Sequence, residues 1–193
     1  QNKKAILKQD GYKICSTGFP LNNVDIKIIG ESEEVLEDLN IGEIYLKSNC
    51  MLLEYHNNPS LTNQAFYNKF FNTGDLGFIY QGELYVTGRK KEIIIVGGEN
   101  IYPQDIEQMI NDMEFCLPGR NVVFGTYDER IGTERIVALI EADKKNHEKI
   151  NLLMLKKEVY QNLNVSLSEA ILIPPKSLVK STAGKISRHL NKL

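Results

Sequence analysis

Four short segments of the chain pair glycine with a charged side chain: Asn72-Thr73-Gly74-Asp75-Leu76-Gly77, Thr87-Gly88-Arg89-Lys90-Lys91-Glu92, Gly97-Gly98-Glu99-Asn100-Ile101-Tyr102-Pro103 and Ser181-Thr182-Ala183-Gly184-Lys185-Ile186. Glycine permits backbone conformations and close approaches that other residues resist, so a charge beside it can be offered to a ligand from a tight turn. An ionised Asp75 only accepts hydrogen bonds, which suits the hydroxyls of a sugar diol; Arg89 carries a rigid fork of donors that suits the same sugar or a phosphate. Lys185 is a compact positive charge on a small-residue loop, able to reach an anionic centre. Singly, such segments are commonplace: Thr-Gly-Asp is often a plain turn, and a lysine in a polar tail is usually solvated.

Other chemistries are disfavoured by spacing. A phosphate loop needs Ser or Thr after Gly184-Lys185 and a glycine five residues before Gly184, but Ile186 and Val179 stand there. Gly97-Gly98 lacks the further glycine of a dinucleotide fingerprint. His56, His147 and His189 are isolated in polar stretches without ligand spacing, so no metal site is expected. Cys15, Cys50 and Cys116 are odd in number and far apart, the pattern of free thiols in a reducing compartment. A net charge of −2 leaves no basic excess for a nucleic-acid backbone or an anionic membrane. No apolar run approaches the roughly 20 residues of a membrane span, and the start does not read as a signal peptide.

The elements that must position these residues change character along the chain. Up to about residue 90 the pattern is short alternating strands, at 24–29, 41–47, 78–80 and 83–87, the last two flanking a tight turn at Gln81-Gly82. After it, an apolar strand over 93–96 stops at Gly97-Gly98, and Pro103 suits the first turn of a helix with Ile106, Met109 and Ile110 on one face. Strands over 121–125 and 135–141 follow, then a helix striped by Leu152, Leu155, Val159 and Leu163, and a strand over 170–173. The tail from 178 to 193 is polar, breaks at Gly184, and predicts a short basic helix beginning near Lys185. The two textures place a boundary close to Arg89-Lys90-Lys91, a short charged junction of the kind a hinge uses.

In this order and at these separations, the four segments resemble the later core motifs of the adenylate-forming superfamily: acyl- and aryl-CoA synthetases, luciferases and peptide-synthetase adenylation domains. Ile41-Gly42-Glu43-Ile44 and Tyr55-His56-Asn57-Asn58-Pro59-Ser60-Leu61-Thr62, ending at Phe66, add to the resemblance, which covers about residues 16–188. Within the superfamily, Thr87-Gly88-Arg89-Lys90-Lys91-Glu92-Ile93-Ile94-Ile95 with Tyr102-Pro103-Gln104-Asp105-Ile106-Glu107 looks most like fatty acyl-AMP ligases and acyl-CoA synthetases. The implied fold class is α+β. A β-rich, distorted-barrel subdomain (1–90) would end the large adenylation domain, and a mobile C-terminal lid domain (91–193), a short sheet flanked by helices, would follow.

The resemblance also implies a two-step reaction: a carboxylic acid and ATP give acyl-AMP and pyrophosphate, and coenzyme A or an acyl carrier protein's pantetheine thiol then takes the acyl group. Asp75 would bind the ribose hydroxyls of ATP or AMP, with Arg89 assisting. Lys185 would be the catalytic lysine, bridging carboxylate and α-phosphate; Lys91 would be the hinge. Gly97, Gly98, Glu99 and Asn100 would line the channel of the acceptor thiol. The family's Ser/Thr/Gly-rich phosphate loop and its adenine-holding aromatic motif do not occur here, and Ala183 stands where Ser or Asn is frequent. The chain then reads as a fragment, inactive alone, of a cytoplasmic ligase whose N-terminal region and Mg2+ site lie outside it. The alternative is a non-catalytic module that docks on a carrier protein or on a partner adenylation domain.

Overall fold

The computed structural model describes residues 4–9, 13–113, 116–142 and 150–192. The chain divides into two compact units, Gln1–Lys91 and Glu92–Leu193, with a mixed α+β architecture. Among the described residues no helix is long and apolar enough to cross a membrane.

The first unit is built on one five-stranded antiparallel sheet. β1 (Val24–Ile29) pairs β2 (Gly42–Ser48), which pairs the long β4 (Phe70–Tyr80); β3 (Phe66–Tyr67) and β5 (Glu83–Arg89) share the other edge of β4. A short helix, α1 (Pro59–Ala65), precedes β3; the Asn58 side chain accepts the Leu61 N–H and a proline occupies its first turn. Register shifts between Glu43 and Tyr45 and between Leu76 and Gly77 bend the strands, so the sheet curls as part of a barrel wall. Ile28, Ile44, Leu76 and Phe78 are buried in this sheet, and the Phe78 ring stacks on Tyr85 at 5.0 Å. Gln81-Gly82 closes the β4–β5 hairpin with both residues at positive φ, the geometry whose twist matches paired strands. Residues 72–77, whose composition suggests a plain turn, run within β4 instead. The side chains of Asn72 and Thr73 bond across to β2 as well as to the backbone two residues on.

In the second unit β8 (Asn121–Asp128) and β9 (Thr133–Glu141) are antiparallel, and β10 (Glu169–Ile173) joins β9 in parallel. A parallel return needs a crossover, which α3 (Leu152–Leu163) supplies; Asn151 caps its start and Asn164, at φ 54, ends it. A small hairpin of β6 (Ile94–Val96) and β7 (Glu99–Ile101) precedes α2 (Pro103–Asn111). β7 is not evident in a strand so short and polar. Alternation along β8 divides the core between two faces. Val123, with Ile136 and Ala138 of β9, packs under Ile106 and Ile110 of α2 and Leu155 and Val159 of α3. Val122, Phe124 and Val137 turn to the other face, where the tail's Leu178 is buried against them and Ile186 packs alongside. Burying a side chain of this size contributes about 1.5–3 kcal/mol.

The helix expected from Lys185 does not form. The tail folds back instead: Lys180 bridges Ile186, the Ser187 N–H donates to Val179 O at 3.1 Å, and only His189–Asn191 makes a 3₁₀ turn. Packing of Ile186 on the sheet holds the backbone extended where a helix would lift it away.

Candidate functional site

Asp75 and Arg89 are register partners across β4 and β5, and Arg89 Nε donates to Asp75 Oδ1 at 3.0 Å. The approach to Asp75 is fixed from β2. Asn72 donates through Nδ2 to Glu43 Oε2 and to the Tyr45 hydroxyl, each at 2.9 Å, and accepts the Gly74 N–H at 2.8 Å. The Thr73 hydroxyl donates to Ile44 O and accepts the Asp75 N–H at 3.0 Å. Glu43 reaches across to Lys90 Nζ at 2.5 Å and so steadies the chain just after Arg89. Burial raises the Tyr45 hydroxyl pKa, and the neighbouring Glu43 charge adds to that. Arg89 is largely exposed, and its pairing leaves Asp75 Oδ2 and two guanidinium nitrogens open among the described residues. The edge thus offers an acceptor beside donors, the complement of a diol.

Lys91 ends the first unit, exposed, in the 3₁₀ turn Lys90–Glu92. Gly97 and Gly98 form the exposed tip between β6 and β7, followed by Glu99, also exposed, and a half-buried Asn100. This hairpin is fastened to β9: the Gly97 N–H donates to Thr133 Oγ1 at 2.9 Å, Thr133 donates to Ile95 O at 3.0 Å, and the Ile95 N–H donates to Glu134 Oε2 at 2.6 Å.

Lys185 stands in the second unit on a closed turn: the Ser181 N–H donates to Lys185 O at 2.7 Å, and Gly184, at φ 78, supplies the left-handed bend. Its base is set by Leu178, whose N–H donates to the buried Glu141 Oε1 at 2.8 Å. Burial works to raise the Glu141 pKa, yet the Leu178 and Lys176 N–H groups and Arg120 outweigh it and hold the carboxyl below its ordinary range. The Lys185 side chain is exposed, with no hydrogen bond or ion pair among the described residues. It edges a groove of about 340 Å³ lined by Glu107, Asn121, Lys180, Ile186 and Arg188. Arg188 is fixed between Glu92 and Glu107, a cluster that the sequence does not announce, because 81 residues separate Arg188 from Glu107. The only local sign is a carboxylate on α2 next to the buried Ile106.

The structure therefore joins Asp75 to Arg89 in one unit and seats Lys185 and the 97–100 tip in the other. Among the described residues no three His, Cys, Asp or Glu side chains gather as a metal would need; His147 lies outside those residues. Cys15, Cys50 and Cys116 are all free thiols.

No protein-family model matches the chain. Among curated proteins it is 31% identical over 210 residues to the 4-hydroxyphenylalkanoate adenylyltransferase of Mycobacterium tuberculosis (strain ATCC 25618 / H37Rv), covering 97% of this chain and 33% of that protein. It is 38% identical over 143 residues to the long-chain-fatty-acid–CoA ligase FadD13 of M. tuberculosis (strain CDC 1551 / Oshkosh), covering 72% of this chain and 27% of that one. A solved structure from work on the fatty acyl-adenylate ligases of E. coli and L. pneumophila superposes with a TM-score of 0.82 at 25% identity, over 98% of this chain and 34% of that one. The chain spans about a third of the length of the relatives it matches.

Proposed function

Because the chain belongs to the adenylate-forming superfamily, corresponding to the C-terminal portion of its enzymes, we propose that it serves an ATP-dependent ligase that activates a fatty or other carboxylic acid. The acid's carboxylate attacks the α-phosphorus of ATP, releasing pyrophosphate and leaving acyl-AMP. Coenzyme A or a carrier-protein pantetheine thiol then displaces AMP. In this reading Asp75 and Arg89 hold the ribose hydroxyls, and Lys185 bridges the carboxylate and the α-phosphate. The unit after Lys91 is the lid, turning about Lys91 so that Gly97, Gly98, Glu99 and Asn100 line the thiol's route. Mg2+ and the adenine, pyrophosphate and acyl pockets belong to an N-terminal region outside these residues, so the chain alone is inactive, and the whole enzyme works in the cytoplasm.

The observation that carries the reading is the state of Lys185, an exposed cation without a partner among the described residues, on a turn whose backbone is fixed to the sheet. At about 4 Å and an effective dielectric near 20, such a charge stabilises a developing negative one by roughly 4 kcal/mol. The test is pyrophosphate release by the intact enzyme over a panel of carboxylic acids, with and without coenzyme A. Lys185→Ala should lower acyl-adenylate formation on the order of 100-fold or more and spare thioester formation from supplied acyl-adenylate. Equal loss of both steps removes the role assigned to Lys185. No pyrophosphate release with any acid favours a non-catalytic docking module.

A further inference from the structure

The turn that presents Lys185 is tied down again just beyond it, by a single guanidinium. Arg188, three residues downstream, donates from Nε and one terminal nitrogen to the two carboxylate oxygens of Glu107, at 3.2 Å and 2.5 Å, and its other terminal nitrogen meets Glu92. The Arg188 side chain is only 20% exposed, Glu107 17% and Glu92 32%, so these are not loose surface pairs. Glu107 is itself fixed: it projects from α2, and its Oε1 also accepts the Val123 N–H of β8 at 2.8 Å. Glu92 is the first residue of the second unit and the neighbour of Lys91. One side chain therefore joins the lysine turn, helix α2 and the start of the unit.

A cation stabilises a transition state to the extent that it is held in place beforehand, and a misplacement of about 1 Å can cost on the order of 100-fold. Among the described residues Lys185 has no side-chain partner to hold it, so its position is set by the backbone beneath it. Upstream that backbone is secured by Leu178; downstream it is held first by the packing of Ile186 and then by the side-chain grip on Arg188. We propose that Arg188, gripped by Glu107 and Glu92, is a positioning residue for Lys185, seating the lysine turn against α2. The planar fork matters as well as the charge, because a lysine at 188 cannot span both oxygens of Glu107 and also reach Glu92. The proposal rests on the reading of Lys185 as the adenylate-forming cation.

The two half-reactions of the intact enzyme, measured separately, test it. Arg188→Met should lower acyl-adenylate formation about 10- to 100-fold and leave acyl transfer from supplied acyl-adenylate within about twofold. Arg188→Lys should recover part of the loss. On a Lys185→Ala background, Arg188→Met should cause no further loss, since it acts through the lysine it positions. Equal loss in both half-reactions, or loss that multiplies with that of Lys185→Ala, overturns the proposal and makes Arg188 a general structural residue. If Lys185→Ala leaves adenylate formation intact, the reading of Lys185 falls and this proposal with it. If Lys185→Ala abolishes the step while Arg188→Met spares it, only the present proposal falls. Hydrogen exchange on the chain itself gives a readout free of activity. Arg188→Met should speed exchange of the Ser187 and Ser181 amides while the β8–β9 ladder keeps its protection; unchanged exchange at both serines overturns the proposal.

Discussion

Gly77 sits where β4, β2 and β5 come together, two residues beyond Asp75, and its replacement by alanine reports directly on that junction. A Cβ there would lie 2.3 Å from the backbone oxygen of Tyr85 and 2.8 Å from Ile44 Cδ1. The first contact is with a strand and not with the end of a flexible side chain, so β5 must retreat by about 1 Å to restore ordinary van der Waals distance. That movement opens the ladder at the register shift between Leu76 and Gly77, next to the Asp75–Arg89 pair. Overpacking of this kind costs about 1–3 kcal/mol, a fall in melting temperature of roughly 2–12 °C for a chain of this size. Gly74, three residues earlier, is the control: a Cβ there meets nothing within 4 Å, so Gly74→Ala bears only the strain of φ 73, about 1–2 kcal/mol. Urea unfolding of the chain, followed by a probe in the first unit, compares the two. If Gly77→Ala unfolds within about 0.5 kcal/mol of the parent, the close approach of β4 and β5 is wrong.

Asp75→Asn should raise the Michaelis constant for ATP of the intact enzyme by about 10-fold or more, the worth of a hydrogen bond to a charged group. The fold should hardly notice, since the Arg89 partner is 64% exposed; an unchanged constant overturns the ribose-binding role proposed for Asp75. A thiol reagent at pH 8 should label the exposed Cys15 and Cys50 quickly and Cys116 only on unfolding, because burial pushes the Cys116 thiol up to about 11. The neutral thiol is favoured in the fold, so its stabilisation is present below the ordinary value of 9.0 and is lost as pH rises toward 11. Cys116→Ala should flatten alkaline destabilisation between those values in denaturant titrations. Hydrogen bonds from Arg130 hold the Asp128 carboxyl down at about 2, with the charges of Arg130 and Arg135 assisting. A depressed carboxylate stabilises the fold above its ordinary 3.8, and that contribution is lost as pH falls toward 2. Asp128→Asn should therefore be less stable than the parent at neutral pH and converge with it near pH 2; a constant gap across that range refutes the pairing.

The elements legible in the sequence are those with a local cause. Gln81-Gly82 between alternating runs marks the β4–β5 hairpin, and Pro103 ahead of Ile106 and Ile110 marks α2. Leu155 and Val159 mark the buried stripe of α3. What escapes local reading has distant causes. Asn72 and Thr73 belong to a strand because β2 supplies their partners, 27 and 29 residues away. The tail is extended, not helical, because Ile186 has a sheet to lie on. At the candidate site, residue types carry the motif, but the facing of Asp75 and Arg89 across two strands, the brace from Glu43 and the grip on Arg188 come from register and long-range contact.

The tail that carries Lys185 also covers one face of its unit's sheet. Without Leu178 and Ile186, one face of the sheet would show Val122, Phe124 and Val137 to water. The second unit cannot complete its burial until residue 188 has been synthesised, since Glu92 and Glu107 wait for Arg188 as well. A chain broken off shortly before Lys185 therefore lacks more than one exposed cation: it presents the apolar surface by which chaperones and proteases recognise unfinished proteins.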